Sequence, residues 1–139
     1  MENLQSIALD KNLAKLGDNL VNLIYSLALT LVSNCAQGKK VSDKILAKAL
    51  QDAGLRRYLP KRLTTHDRGD AVEAILAYLW LNNRLDINEA AVFLSKYLSK
   101  ESLKSKEIEL FEASNAFKEL LKLYLSKKQF LLLTNNFFD

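Results

Sequence analysis

Leu13–Asn22, LAKLGDNLVN, and Asp67–Leu81, DRGDAVEAILAYLWL, decide how this chain is read. Each is a good helix former interrupted once, by Gly17-Asp18 in the first and by Gly69-Asp70 in the second. Glycine costs roughly 1 kcal/mol against alanine inside a helix, so a glycine kept there has a packing or functional reason. The expected reason is close approach. With no side chain at Gly17 or Gly69, two helices cross with their backbones near each other, and the next residue on each brings a carboxylate towards the crossing. Glu73 follows Asp70 by three residues and lies on nearly the same helix face. Asp18, Asp70 and Glu73 are therefore expected to converge, and converging acids in a packed interior ask for a metal ion, because unpaired buried charges are costly.

The rest of the composition frames that expectation. The 139 residues suit one domain, 1–139, and an apolar share of 49% is enough for a core. With one Pro and four Gly, the punctuation of an all-β or disordered chain is missing, and Leu, Ala, Lys and Glu dominate. The fold class read from this is all-α, with five or more helices. The single cysteine, Cys35, has no internal disulfide partner and is expected to be buried at a helix end. The start MENLQS lacks the basic and apolar stretches of a signal peptide, so a cytoplasmic location is expected. The most apolar stretch, Leu20–Val32, is broken by Asn22, Tyr25, Ser26 and Thr30 and is read as too short for a membrane span.

Charge is unevenly placed. Residues 1–38 carry a net −1, residues 39–68 a net +6, residues 69–99 a net −2 and residues 100–139 a net +1. A basic segment thus precedes an acidic helix, the layout expected where cations hold a phosphate backbone and acids hold a metal, although an uneven solvated surface gives the same pattern. The cations nominated for phosphate contact are Lys39, Lys40, Arg56, Arg57, Lys61, Arg62 and Arg68.

Helical periodicity fills in the scaffold. A long helix from about Leu9 to Asn34 has Leu13, Leu16, Leu20, Leu23, Leu27 and Leu31 at steps of three and four, read as a core stripe. A turn at Gln37-Gly38-Lys39-Lys40 precedes a helix from about Ser42 to Ala53, closed by Gly54. Residues 55–66, LRRYLPKRLTTH, read as a basic loop in which Tyr58 is the one candidate stacking aromatic and His66 a loop residue or phosphate contact. The acidic helix runs from about Asp67 to Asn82 with Val72, Ile75, Leu76, Leu79 and Trp80 inward. Asp86 and Glu89 form a capping-box pattern for a short helix through Leu98, and a last helix, about Ser105 to Lys127, turns Ile108, Phe111, Ala116, Leu120 and Leu123 to one side. The tail FLLLTNNFFD, with Phe130, Leu131, Leu132, Leu133, Phe137 and Phe138, is expected to fold back or pack on a second subunit.

These residues resemble the ribonuclease III endonuclease domain. KNLAKLGDNL, Lys11–Leu20, is similar to that family's signature helix ERLEFLGDAVL, with Asp18 on its aspartate, and DAVEAILAYLWL, Asp70–Leu81, follows the form D-x-x-E-A-L-I-G-A-[IV]-Y-L. Together the motifs span about 25 residues. The signature's first glutamate falls on Lys11 and its second, a metal ligand in the family, on Ala14. The resemblance implies Mg²⁺ (or Mn²⁺) held by Asp70 and Glu73 with Asp18 sharing the ion or orienting a water, hydrolysis of double-stranded or structured RNA, and a homodimer whose two acidic sites face one duplex. Two other readings compete: a catalytically silent ribonuclease III-like module that binds RNA or a protein, suggested by Lys11 and Ala14, and a helical assembly module in which the acids are surface charge.

Overall fold

A computed structural model of the chain describes residues 3–125. Within them lie six helices, α1 (Leu4–Ala8), α2 (Lys11–Ser33), α3 (Asp43–Asp52), α4 (Thr65–Leu81), α5 (Ile87–Ser95) and α6 (Lys106–Tyr124), with 3-10 turns at Arg56–Tyr58 and Lys100–Leu103. The expected all-α class is what forms. The Phe/Leu-rich tail from Phe130 lies outside the described residues.

Each helix begins where its first turn finds an acceptor for orphan amides. Asp10 caps α2, accepting from the amides of Asn12 and Leu13. Ser42 caps α3, Asp86 caps α5 and Ser105 caps α6. Thr64 caps α4 in a reciprocal capping box with Asp67, and this starts the helix two residues earlier than the sequence suggests. His66 is consequently in the first turn of α4 and not in a loop. Gly54, with φ +76°, follows α3 in the left-handed region that favours glycine.

The core is built around α4, which packs on α1, α2 and α3, while α5 also meets α2 and α6 meets α3 and α5. Val72, Ile75, Leu76 and Leu79 are buried as expected, whereas Trp80 is partly exposed at the end of the helix. On α2 the expected leucine stripe is rotated from the face that is buried. Leu20 is buried and Leu13 and Leu27 are partly so, but Leu16, Leu23 and Leu31 face outward, the last two 47% and 52% exposed. The buried face is Ala14, Gly17, Leu20, Val21, Ile24, Tyr25, Ala28 and Leu29. Leucine spacing has a valid period but the wrong phase, because the side turned inward is the one that carries Gly17, where the Glu73 backbone comes too close for any side chain. By length and composition α2 does suffice to cross a membrane, contrary to the expectation from Leu20–Val32, and in this fold it contributes its buried face to the core.

On α6 the core residues are Ala113, Ala116, Phe117, Leu120 and Leu121, while Ile108 and Leu123 are exposed and Phe111 is 71% exposed. Cys35 is also exposed, beyond the end of α2 and not buried against it. Past the turn at Asn34 that closes α2, the chain makes no turn at Gln37-Gly38-Lys39-Lys40, where the sequence suggests one. It runs without regular structure along a column of polar residues one helical turn apart on α2. Thr30 Oγ1 accepts from the Gln37 amide, Ser26 Oγ accepts from the Lys39 amide and donates to its carbonyl, and Asn22 Oδ1 accepts from the Val41 amide. These bonds pin a strap, residues 37–41, against α2 and deliver the chain to the cap of α3.

Candidate active site

The crossing of α2 over α4 is as close as the two motifs suggest. A Cβ built on Gly17 would lie 2.0 Å from the carbonyl oxygen of Glu73 and 2.9 Å from its Cα, so only glycine fits. Gly69 serves a different contact. A Cβ there would meet the Asp43 carboxylate of α3 at 2.6 Å, so the two glycines bracket α4 from two neighbours and do not share one crossing.

Beside the α2–α4 crossing opens a cleft of about 810 Å³ lined by Lys11, Ala14, Lys15, Asp18, Lys40, Val41, Ser42, Asp43, His66, Asp70 and Glu73. The three acids expected to meet all line it. Glu73 is only 5% exposed, and its carboxyl hydrogen-bonds with that of Asp18. Burial first, then the Asp18 contact and the charges of Asp70 and Asp43, push Glu73 up to about 9, so at neutral pH it is a carboxylic acid donating to Asp18. Asn22 Nδ2 donates to Asp18 Oδ1 at 3.3 Å from one turn further along α2.

Asp70 is held differently. Lys11 Nζ lies 3.0 Å from Asp70 Oδ2 and 3.2 Å from Asp67 Oδ1, and these carboxylates, Asp70 foremost, raise the Lys11 ammonium above its ordinary range. Asp67 is lowered, chiefly by the Thr64 amide and then by Lys11. His66 spans two helices, with Nδ1 3.1 Å from Asp43 Oδ2 and Nε2 3.4 Å from Asp70 Oδ2. The bond to Asp43 and the charge of Asp70 raise His66 towards the imidazolium form. Asp43, His66 and Lys11 thus belong to the cleft, and of the three only His66 has a role in the sequence reading, as a loop residue or phosphate contact. Asp43 is recognisable only through its tertiary contacts, while Lys11 already stands out in the signature helix as a lysine in a glutamate's place.

Among the described residues no three His, Cys, Asp or Glu side chains are arranged as a ready-made cation cage. Mg²⁺ does not demand one, since it keeps several waters and is held by one or two carboxylates together with substrate phosphate. The Asp18–Glu73 pair suits that chemistry: two oxygen donors in contact, sharing a proton where a cation would take its place. Ala14, one turn before Asp18, lines the same wall and offers no oxygen.

The nominated cations separate. Lys40 lines the cleft, joined by Lys11 and Lys15. Lys39 Nζ is bound to Glu109 Oε2 at 2.8 Å, and the same oxygen accepts from the Tyr25 hydroxyl at 2.8 Å, whose ionisation is suppressed by burial and by Glu109. Arg56 is half-buried and donates to the Lys61 carbonyl, and Arg57 lies over the Tyr58 ring, 4.9 Å from its centre, so that Tyr58 already has a stacked cation. Arg56, Arg57, Lys61, Arg62 and Arg68 are not among the residues lining the cleft.

No curated protein matches the chain. Among protein families, residues 11–129 match the model described as Ribonuclease III.

Proposed function

The chain belongs to the ribonuclease III family, and from that premise we propose that it is an endoribonuclease hydrolysing phosphodiesters in double-stranded or structured RNA with Mg²⁺ (or Mn²⁺) held at the Asp18–Glu73 pair. The observation that carries the reading is the nearly inaccessible Glu73 carboxyl bonded to Asp18, with Asp70 and Asp43 charged around it and, among the described residues, no cation on the pair itself. When bound, Mg²⁺ supplies the Lewis acidity that stabilises charge developing on the phosphate during in-line attack.

The chain's own residues do the rest. Asp18 and Glu73 would hold the ion through their carboxyl oxygens once Glu73 has lost its proton. Asp70, three residues before Glu73 on α4, would orient water, and Lys11, now paired with Asp70, would turn its ammonium to a phosphate oxygen. Lys15 and Lys40 attract the RNA backbone from the walls, and an A-form duplex suits them because it is recognised by shape and phosphates. A homodimer, two clefts facing one duplex, agrees with the outward leucines of α2.

The test is cleavage of a duplex RNA with and without Mg²⁺. Wild type is expected to cut, and D70N and E73Q to bind the duplex yet leave it whole. The Lys11–Asp70 ion pair and Ala14 favour a second reading, a silent RNA-binding module. Wild type that shifts the duplex in a gel but never cleaves it, with Mg²⁺ or Mn²⁺, establishes that second reading instead.

A further inference from the structure

Asn22 uses both ends of one carboxamide. Its Nδ2 donates to Asp18 Oδ1 at 3.3 Å, and its Oδ1 accepts from the Val41 amide at 2.8 Å. The orientation is set by chemistry: turned over, the amide would set Nδ2 against a backbone N–H and Oδ1 against a carboxylate, and both contacts would become repulsive. The two partners line the cleft from different segments of the chain. Asp18 sits on α2, whereas Val41 stands between Lys40 and the Ser42 cap that sets Asp43 at the start of α3.

We propose that Asn22 is a positioning residue that fixes the Asp18 carboxylate and, with the same group, the distance from it to the Lys40–Asp43 wall. Groups that hold a ligand through its second oxygen or nitrogen decide how that ligand meets a metal, and removing one typically lowers metal affinity tenfold or more. Nothing in the two family motifs marks residue 22. It lies four residues past Asp18, one helical turn, so its amide meets the carboxylate side by side. Ser26, one turn further, offers an internal control, because it holds the same strap through Lys39 and is not bonded to Asp18.

The inference rests on the metal reading above, and the experiment separates the two. Mn²⁺ affinity of the full chain is measured by electron paramagnetic resonance of free Mn²⁺, alongside thermal melting, for wild type, D18N, N22A and S26A. Wild type binds and D18N does not; N22A binds about tenfold more weakly, and S26A, which loosens the strap, stays within about twofold of wild type. N22S takes the place of N22A if the alanine variant does not fold. Unchanged affinity in the Asn22 variant, or an equal loss in S26A, overturns the positioning role and leaves the metal reading standing. Wild type without measurable Mn²⁺ affinity, or D18N that binds as well as wild type, overturns both.

Discussion

Glu73 shows how much one neighbour changes a residue's chemistry. In the unfolded chain it is an ordinary glutamate with a value near 4.5, and in the fold it rises to about 9, through burial first and Asp18 second. Between those values the native state holds a proton that the unfolded state has lost, so this group's stabilisation is complete below the lower value and is withdrawn as pH climbs through the upper one. Wild type should therefore lose stability relative to E73Q as pH is raised from about 5 to about 9, read as the pH dependence of the difference in denaturation midpoints. Equal slopes for the two proteins would place the Glu73 carboxylate in water. Motif spacing puts Asp18, Asp70 and Glu73 on the right helices, but that Glu73 shares its proton with Asp18 while Asp70 is claimed by Lys11 and His66 is a matter of side-chain contacts between helices far apart in the chain.

Among the elements, α4 is pressed from both sides at a glycine-dependent contact, and the two contacts predict different costs. An alanine at Gly17 would drive its Cβ into the backbone of Glu73, which has no rotamer to yield, so G17A is expected to lose about 3 kcal/mol or more and to open the cleft. At Gly69 the obstacle is chiefly the Asp43 side chain, which can swing aside, and the roughly 1 kcal/mol that alanine regains in helix propensity offsets much of the cost. G69A should therefore melt close to wild type, and chemical denaturation of the two variants measures the contrast. Five of the six helices and the caps at Ser42, Gly54, Asp86 and Ser105, which act locally, are readable from sequence, whereas α1 and the Asp10 cap that separates it from α2 are not. The Thr64 cap and the strap are not, the first hidden in a basic loop and the second built from side chains of another element.

At the scale of the molecule, surface charge and exposed leucine ask to be tested together. Of seven cations nominated from the basic segment, Lys40 alone lines the cleft, and Lys15 joins it from α2. The double variant K15E/K40E is expected to bind duplex RNA more weakly and to flatten the salt dependence by roughly one in log–log slope for each phosphate no longer neutralised. An unaltered slope would move RNA to another face, such as the 56–62 segment. Leu16, Leu23 and Leu31 share the outer side of α2, and in sedimentation wild type should run as a dimer that L23R converts to monomer, whereas a monomeric wild type removes the stripe from assembly. The helical class, most helix boundaries, the glycine-enabled approach of α2 to α4 and the two motifs that carry Asp18, Asp70 and Glu73 were all written in the order of the residues. Those follow from periodicity, capping and steric size, which act within a few residues. Folding in three dimensions was needed to settle which side of α2 and α6 faces the core, which lysines reach the cleft, that Asp43, His66 and Lys11 line it, and that Asn22 is bonded to Asp18. The reason is that a helix's phase and a side chain's partner are fixed by the sum of contacts with distant elements, a quantity no local pattern contains.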